Sequence, residues 1–229
     1  MGKLKVIFED NHIIVVEKKP NIPSQSDKTG DMDMLTLVKQ YIKEKYQKPG
    51  NVYLGLVHRL DRPVGGVMIF AKTSKAASRL SNQVREKVFK KKYLAVVDGR
   101  FKEKEGSLED YLYKNERNNI SKVVNKDKKN AKLAKLDYKE LAYNQVKNLS
   151  LLEINLHTGR HHQIRVQLAN AGHSIFGDQK YGKRGQGKQI ALWAYELTIE
   201  HPISKEMLTF KDLPEPIGTW CILKDVGQL

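Results

Sequence analysis

The segment Val57-His58-Arg59-Leu60-Asp61-Arg62-Pro63-Val64-Gly65-Gly66 runs straight into Val67-Met68-Ile69-Phe70-Ala71, and no other stretch constrains the fold as much. A short, unbroken apolar run behind a Pro/Gly turn predicts a strand buried on both faces, since no polar residue alternates into it. Pro63 stiffens the turn, and Gly65-Gly66 lets another backbone or a ligand approach closely. Asp61 stands in that turn between Arg59 and Arg62. A lone turn aspartate is ordinarily a turn former. Flanking guanidinium charge changes the reading, because it favours the carboxylate anion, the form that acts as nucleophile or base.

Around this segment the pattern alternates between strand and helix. Leu4–Phe8 and His12–Glu17 read as β runs about the polar turn Glu9-Asp10-Asn11. Leu35, Val38, Ile42 and Tyr46 have helical spacing, and Pro49-Gly50 ends that helix. Thr73 or Ser74 caps a second helix with Ala77, Leu80, Val84 and Val88 on one face. Tyr93–Val97, a part of Val146–Leu156, and Gln189–Glu200 read as further strands. Strands interspersed with helices and hairpin-like returns predict an α+β fold with a mixed, largely antiparallel sheet and flanking helices. No repeat and no linker composition is visible, so residues 1–229 are expected to form a single domain.

The net charge of +15 points to a polyanion partner, because each neutralised phosphate releases condensed counterions. Residues 113–135 are a basic, Asn-rich stretch, and their few large apolar groups suggest a flexible hairpin able to face a polyanion. One cysteine, Cys221, excludes an internal disulfide and fits a reducing compartment. No apolar run reaches membrane-spanning length and the first residues lack a signal-peptide core, so a cytoplasmic monomer is expected.

A second segment, Thr158-Gly159-Arg160-His161-His162-Gln163-Ile164-Arg165, is expected to open a helix. On that helix His161, Ile164, Arg165, Leu168 and Gly172 fall on one stripe. A charge beside Ile164 and Leu168 either snorkels to the surface or sits half-buried and needs an anion. Tyr93, at the head of a strand after Lys90-Lys91-Lys92, reads from position alone as core packing. His58, His161 and His162 invite a metal reading that their spacing does not support, since adjacent helical histidines point to different faces. No metal and no cofactor is therefore expected.

These segments resemble the RluA-type pseudouridine synthases, which isomerise uridine to pseudouridine in structured RNA. The resemblance rests on four ordered runs: His58-Arg59-Leu60-Asp61 with Gly65-Gly66 and Ala71-Lys72; Lys91-Lys92-Tyr93-Leu94-Ala95-Val96-Val97-Asp98-Gly99; Thr158 to Val166; and Gly172-His173 with Gly177-Asp178-Gln179-Lys180-Tyr181-Gly182. It extends from about Val6 to about His201 and implies the pseudouridine synthase fold with a central RNA-binding cleft. The compact start leaves no room for the extra RNA-binding domain that many relatives carry in front. The resemblance makes Asp61 the essential catalytic aspartate, either adding to C1′ of the ribose or taking the C2′ proton. It makes Tyr93 the residue stacked on the target base, and Arg165 the partner of the aspartate. Arg59 then enters the RNA beside the flipped nucleotide. Arg62, Lys72, Arg160 and His161 are further candidates for RNA contact, Lys72 either touching phosphate or capping its strand. His161 stands where the family often has threonine, and Gly65 where it often has serine.

The expected activity is thus the isomerisation of specific uridines in ribosomal or transfer RNA. A catalytically silent RNA-binding module on the same scaffold is the alternative, and it gives no reason to keep Asp61, Tyr93 and Arg165 together. A glycosidase would require a second carboxylate. Asp178 is the only one near either motif, and it reads as a turn residue.

Overall fold

The computed structural model describes residues 4–183 and 185–227. In chain order the strands are β1 (Val6–Glu9), β2 (Ile13–Lys18), β3 (Gly55–Leu56), β4 (Gly65–Ala71), β5 (Lys90–Asp98), β6 (Glu105–Asn115), β7 (Ile120–Val124), β8 (Lys132–Asn144), β9 (Leu149–Leu156), β10 (Leu192–Glu200) and β11 (Met207–Lys211). The α-helices are α1 (Met34–Lys45), α2 (Ser74–Arg85) and α3 (Gln163–Asn170), and a 3-10 helix covers Gly218–Asp225. The chain divides into two compact units, residues 1–91 with 194–213, and residues 92–193 with 214–229. Of the three crossing points, two fall inside strands, between Lys91 and Lys92 and between Trp193 and Ala194, and the third lies just after β11, between Leu213 and Pro214.

In the first unit the strand order is β1-β2-β4-β10, with β11 on β10 and β3 on β4. The expected strand behind the Asp61 turn is β4, and all seven of its residues are buried. It pairs antiparallel with β2, Ile13 opposite Ala71 and Lys18 opposite Gly66. Asp10 makes the β1–β2 turn by accepting from the amides of His12 and Ile13, both at 2.7 Å. The core gathers Ile13, Val15, Val67, Ile69, Leu80, Leu197, Ile199 and Phe210. Helix α1 starts at Asp33, whose carboxylate accepts from the Thr36 amide at 3.0 Å. Helix α2 starts at Thr73, whose hydroxyl accepts from Ala76 N at 3.2 Å. Its buried face is Ala76, Leu80 and Gln83, whereas Val84 is exposed and Val88 lies beyond the helix. The expected face was rotated because Gln83 goes inward: its amide donates to Glu200 O at 2.6 Å and accepts from Glu200 N at 3.1 Å.

The second unit is antiparallel in every pair among β5-β9-β8-β6-β7. The basic stretch 113–135, expected to be flexible, is built as paired strands. Tyr113 faces Lys122 and Asn115 faces Ile120 across β6 and β7, and Leu112 faces both Val123 and Lys132. Leu112 and Ala134 are buried against Val166 of α3, with Val123 packed on the same cluster. That apolar seam lay hidden among lysines and asparagines. Helix α3 begins at Gln163, later than expected, because His162 caps it in a left-handed conformation (φ 53°). Residues 163–168 are all buried, so the helix is enclosed all round and has no single apolar stripe. No described helix is long and apolar enough to cross a membrane.

Candidate active site

Asp61 is partly exposed, and the turn that carries it is held from one side by the loop that follows β2. The Asp61 carbonyl accepts from Val64 N at 3.0 Å, closing the turn. Ser24 pins the preceding residue on both polar groups: its hydroxyl donates to Leu60 O at 2.8 Å and accepts from Leu60 N at 3.1 Å. Asn21 N donates to Arg62 O at 2.8 Å. The strongest tie is Lys18, fully buried at the end of β2. Its ammonium donates to Val64 O at 2.6 Å, Arg62 O at 2.9 Å and Lys19 O at 3.2 Å. Burial lowers the Lys18 pKa to about 7, with the Asp61 charge opposing the shift and Arg62 adding to it. Gly66, at φ +124°, lies where a Cβ would meet the Ala194 carbonyl oxygen at 2.1 Å. The close approach expected of Gly65-Gly66 is therefore made by a backbone.

Arg59 is exposed. Arg62 turns away from its neighbour toward the 27–31 loop, where it pairs with Asp31 and donates to Thr29 Oγ1 at 3.1 Å. Its side chain thus fastens a loop by engaging the protein's own acids. Lys72 is similarly engaged, donating to Glu9 Oε1 at 2.8 Å and to Asp10 O at 2.5 Å. His58 is a structural support in this unit. Its Nε2 accepts from Ile69 N at 3.1 Å, and burial, reinforced by the charge of Lys91, lowers its pKa to about 3.

In the second unit Tyr93 is buried on β5, opposite Ile154 of β9. Arg165 is buried too, and within its unit it pairs with Asp178. Arg165 Nε donates to Asp178 Oδ2 at 2.8 Å and Nη2 to Oδ1 at 2.7 Å. This two-pronged pair fixes the plane of the guanidinium. Asp178 does make a turn, because Oδ1 also accepts from Lys180 N at 2.8 Å and Tyr181 N at 3.2 Å. The sequence reading saw the turn and missed the ion pair, whose only signal was an acid thirteen residues from a buried arginine. The Tyr181 ring centroid lies 5.3 Å from the Arg165 guanidinium carbon.

Two histidines link this pair to the basic hairpin. Ser121 N donates to Tyr181 Oη at 2.8 Å, and Tyr181 Oη lies 2.8 Å from His162 Nδ1. Burial, followed by the charge of Arg165, lowers the His162 pKa to about 2, so the ring is neutral. His161 stacks on His162 with centroids 3.7 Å apart, and its Nδ1 lies 2.9 Å from Ser121 Oγ. Arg160 donates from Nε to Leu133 O at 2.8 Å. Among the described residues no group of three or more His, Cys, Asp or Glu side chains is placed to hold a metal.

Residues 12–170, which contain Asp61, Tyr93 and Arg165, match the family model described as RNA pseudouridylate synthase. The uncharacterized RNA pseudouridine synthase YhcT of Bacillus subtilis (strain 168) is 33% identical over 211 residues, 90% of this chain and 67% of that protein. The ribosomal large subunit pseudouridine synthase D of Nitrosomonas europaea is 30% identical over 239 residues, 99% of this chain and 66% of that protein. The chain thus spans about two thirds of the length of these relatives. Human RNA Pseudouridylate Synthase Domain Containing 1 has the same fold, with a TM-score of 0.75 at 24% identity over 93% of this chain and 84% of that one. The expected α+β pseudouridine synthase fold is what these strands and helices form, and the chain belongs to the RNA pseudouridylate synthase family.

Proposed function

We propose that this protein isomerises specific uridines in ribosomal RNA to pseudouridine, with Asp61 as the catalytic aspartate and Tyr93 and Arg165 completing the catalytic set. The observation that carries the reading is the construction of the Asp61 turn. Ser24, Asn21 and Lys18 fix the backbone on either side of the carboxylate while leaving its side chain partly exposed. Such support is what a reacting group requires if it is to meet a ribose at a set distance. In this reading the Asp61 carboxylate acts at the ribose, by adding to C1′ or by taking the C2′ proton, and the detached uracil rotates and rejoins through C5. Tyr93 packs on the base and helps remove the C5 proton. Arg165, its plane held by Asp178, contributes fixed positive charge. The ribosomal substrate is supported by relatives named for the large ribosomal subunit, and transfer RNA is the second substrate to test. A cytoplasmic location and action as a monomer belong to the same reading, and Arg59 is its contact beside the flipped nucleotide.

Asp61→Asn tests it. The variant keeps shape and loses the anion, so release of tritium from C5-labelled uridine in transcribed ribosomal RNA should fall at least about a thousand-fold, while RNA affinity and thermal stability stay near those of the parent. Appreciable turnover by Asp61→Asn would remove the aspartate from the chemistry. The silent-binder alternative predicts no tritium release from the parent protein at all.

A further inference from the structure

A cavity of about 430 Å³ opens in the second unit between the β6–β7 hairpin, the start of β8 and the Gly159–His161 turn. None of Tyr93, Arg165 or Asp178 lines it, so it is separate from the residues assigned to the chemistry. Its walls combine two kinds of surface. Leu112, Tyr113 and the His161 ring supply apolar and aromatic area, while Lys114, Lys132 and Arg160 supply charge. The one lining acid, Glu116, is taken by Lys114 at 2.6 Å, and its pKa is held below the ordinary value chiefly by that bond. Lys132 and Arg160 have no carboxylate within ion-pair distance among the described residues. Two cations left over beside an aromatic wall call for a ligand with both an anion and a flat ring.

The His161 wall is fixed before any ligand arrives. Ser121 Oγ donates to His161 O at 2.8 Å, so it receives the Nδ1 proton of the same ring at 2.9 Å, and the stack on His162 sets the ring plane. Ser121 is itself buried, and its amide is tied to Tyr181. The volume lies near the lower end of the roughly 300–1,000 Å³ typical of small-ligand sites, which suits one nucleotide and not a longer stretch of chain.

We propose that this cavity is a second nucleotide site, which takes one nucleotide of the RNA other than the target uridine, its base against His161 and Tyr113 and its phosphate between Lys132 and Arg160. The inference rests on the RNA reading above and adds to it a point of recognition outside the reacting nucleotide. By holding a neighbouring nucleotide out of the stack, the site would select RNA by the spacing between that nucleotide and the target.

The test uses the intact protein labelled in its histidine and tyrosine rings, titrated separately with each nucleoside 5′-monophosphate and with inorganic phosphate at matched ionic strength. At least one nucleotide should shift the His161 ring resonance saturably, and phosphate should not. The Arg160→Gln/Lys132→Gln variant should weaken that binding by about ten-fold or more, the loss expected when charge-assisted phosphate contacts are removed. Equal shifts with phosphate would reduce the cavity to a bare anion site and overturn the proposal. Silence at His161 with all four nucleotides, or shifts confined to Tyr93, would overturn it as well. Asp61→Asn should leave the His161 titration unchanged, so a failure of this site and a failure of the catalytic assignment give separate results.

Discussion

The Asp61 turn and the Arg165 helix are both rigid, and they are made rigid in opposite ways. Around Asp61 the support described falls on the backbone: a buried ammonium, a serine hydroxyl and a loop amide hold the carbonyls and amides of residues 60–64. At Arg165 the side chain itself is gripped, by a carboxylate on two nitrogens and by an aromatic ring nearby. The difference teaches how a site divides its labour. A reacting group can be aimed through the backbone that carries it, whereas a long charged side chain is aimed best when a partner fixes its own geometry.

Removing the Arg165 partner breaks the contrast hardest. Asp178→Asn removes the carboxylate that grips two nitrogens of a buried guanidinium and should cost up to about 3–5 kcal/mol of stability. Urea unfolding would report it, together with a fall in turnover that exceeds the fall in RNA affinity. If Asp178→Asn is as stable as the parent, the pair contributes nothing that the surrounding packing does not.

Lys18→Met should cost less, about 1–3 kcal/mol, because it strands the carbonyls of Arg62 and Val64 without stranding a charge. Its mark would be selective. The turn loosens around an intact carboxylate, so tritium release should drop while RNA affinity holds, and equal loss of both would refute a role confined to the turn.

The pH dependence of stability sharpens the same point with a smaller effect. The folded Lys18 titrates near 7 and an unfolded lysine near 10.5, so between those values the unfolded chain holds a proton that the folded chain has released. Stability contributed by this group therefore rises with pH across that window, by at most about 1.4 kcal/mol per unit. Lys91, also lowered by burial, acts in the same direction. Denaturation of the parent and of Lys18→Met at pH 7 and pH 9 should show the parent gaining relative to the variant; parallel behaviour would mean that Lys18 stays charged throughout.

The smallest effect concerns the hairpin. Ser121→Ala removes the hydroxyl that fixes His161 and should cost about 1 kcal/mol, a typical net value for one buried hydrogen bond. A shift in the His161 ring resonance without a change in α3 amide protection is the expected signature.

How much of this was legible beforehand differs from residue to residue. The β4 strand and its glycine turn were plain, because an unbroken apolar run has one interpretation. The helix caps Asp33 and Thr73 follow local rules, and Thr73 is one of the two residues, with Ser74, read as the start of its helix. Lys18 was missed although its parity with Ile14 and Val16 placed it on a buried face, since Glu17-Lys18-Lys19 reads as a solvated run. The ordering of residues 113–135 was missed for a related reason. Composition counted the lysines, while the seam formed by Leu112, Val123 and Ala134 depends on pairing that no local window contains. Arg165 was found but its pair with Asp178 was not, because Asp178 follows after the helix has ended and the chain has turned. The positions of Arg62 and Lys72 are set likewise by distant acids, Asp31 and Glu9.

Gly66 has a further consequence for the order in which the protein can be made. The carbonyl that crowds it belongs to Ala194, on a strand synthesised more than a hundred residues later. Leu197, Ile199 and Phe210, which complete the same core, arrive with that strand and the next. On the ribosome the second unit has most of its residues before the first can close, although the first begins the chain. The turn bearing Asp61 thus waits for a late strand, a long-range closure of the kind that slows folding. A chain cut short before residue 194 would carry its aspartate without the β10 backbone that Gly66 packs against.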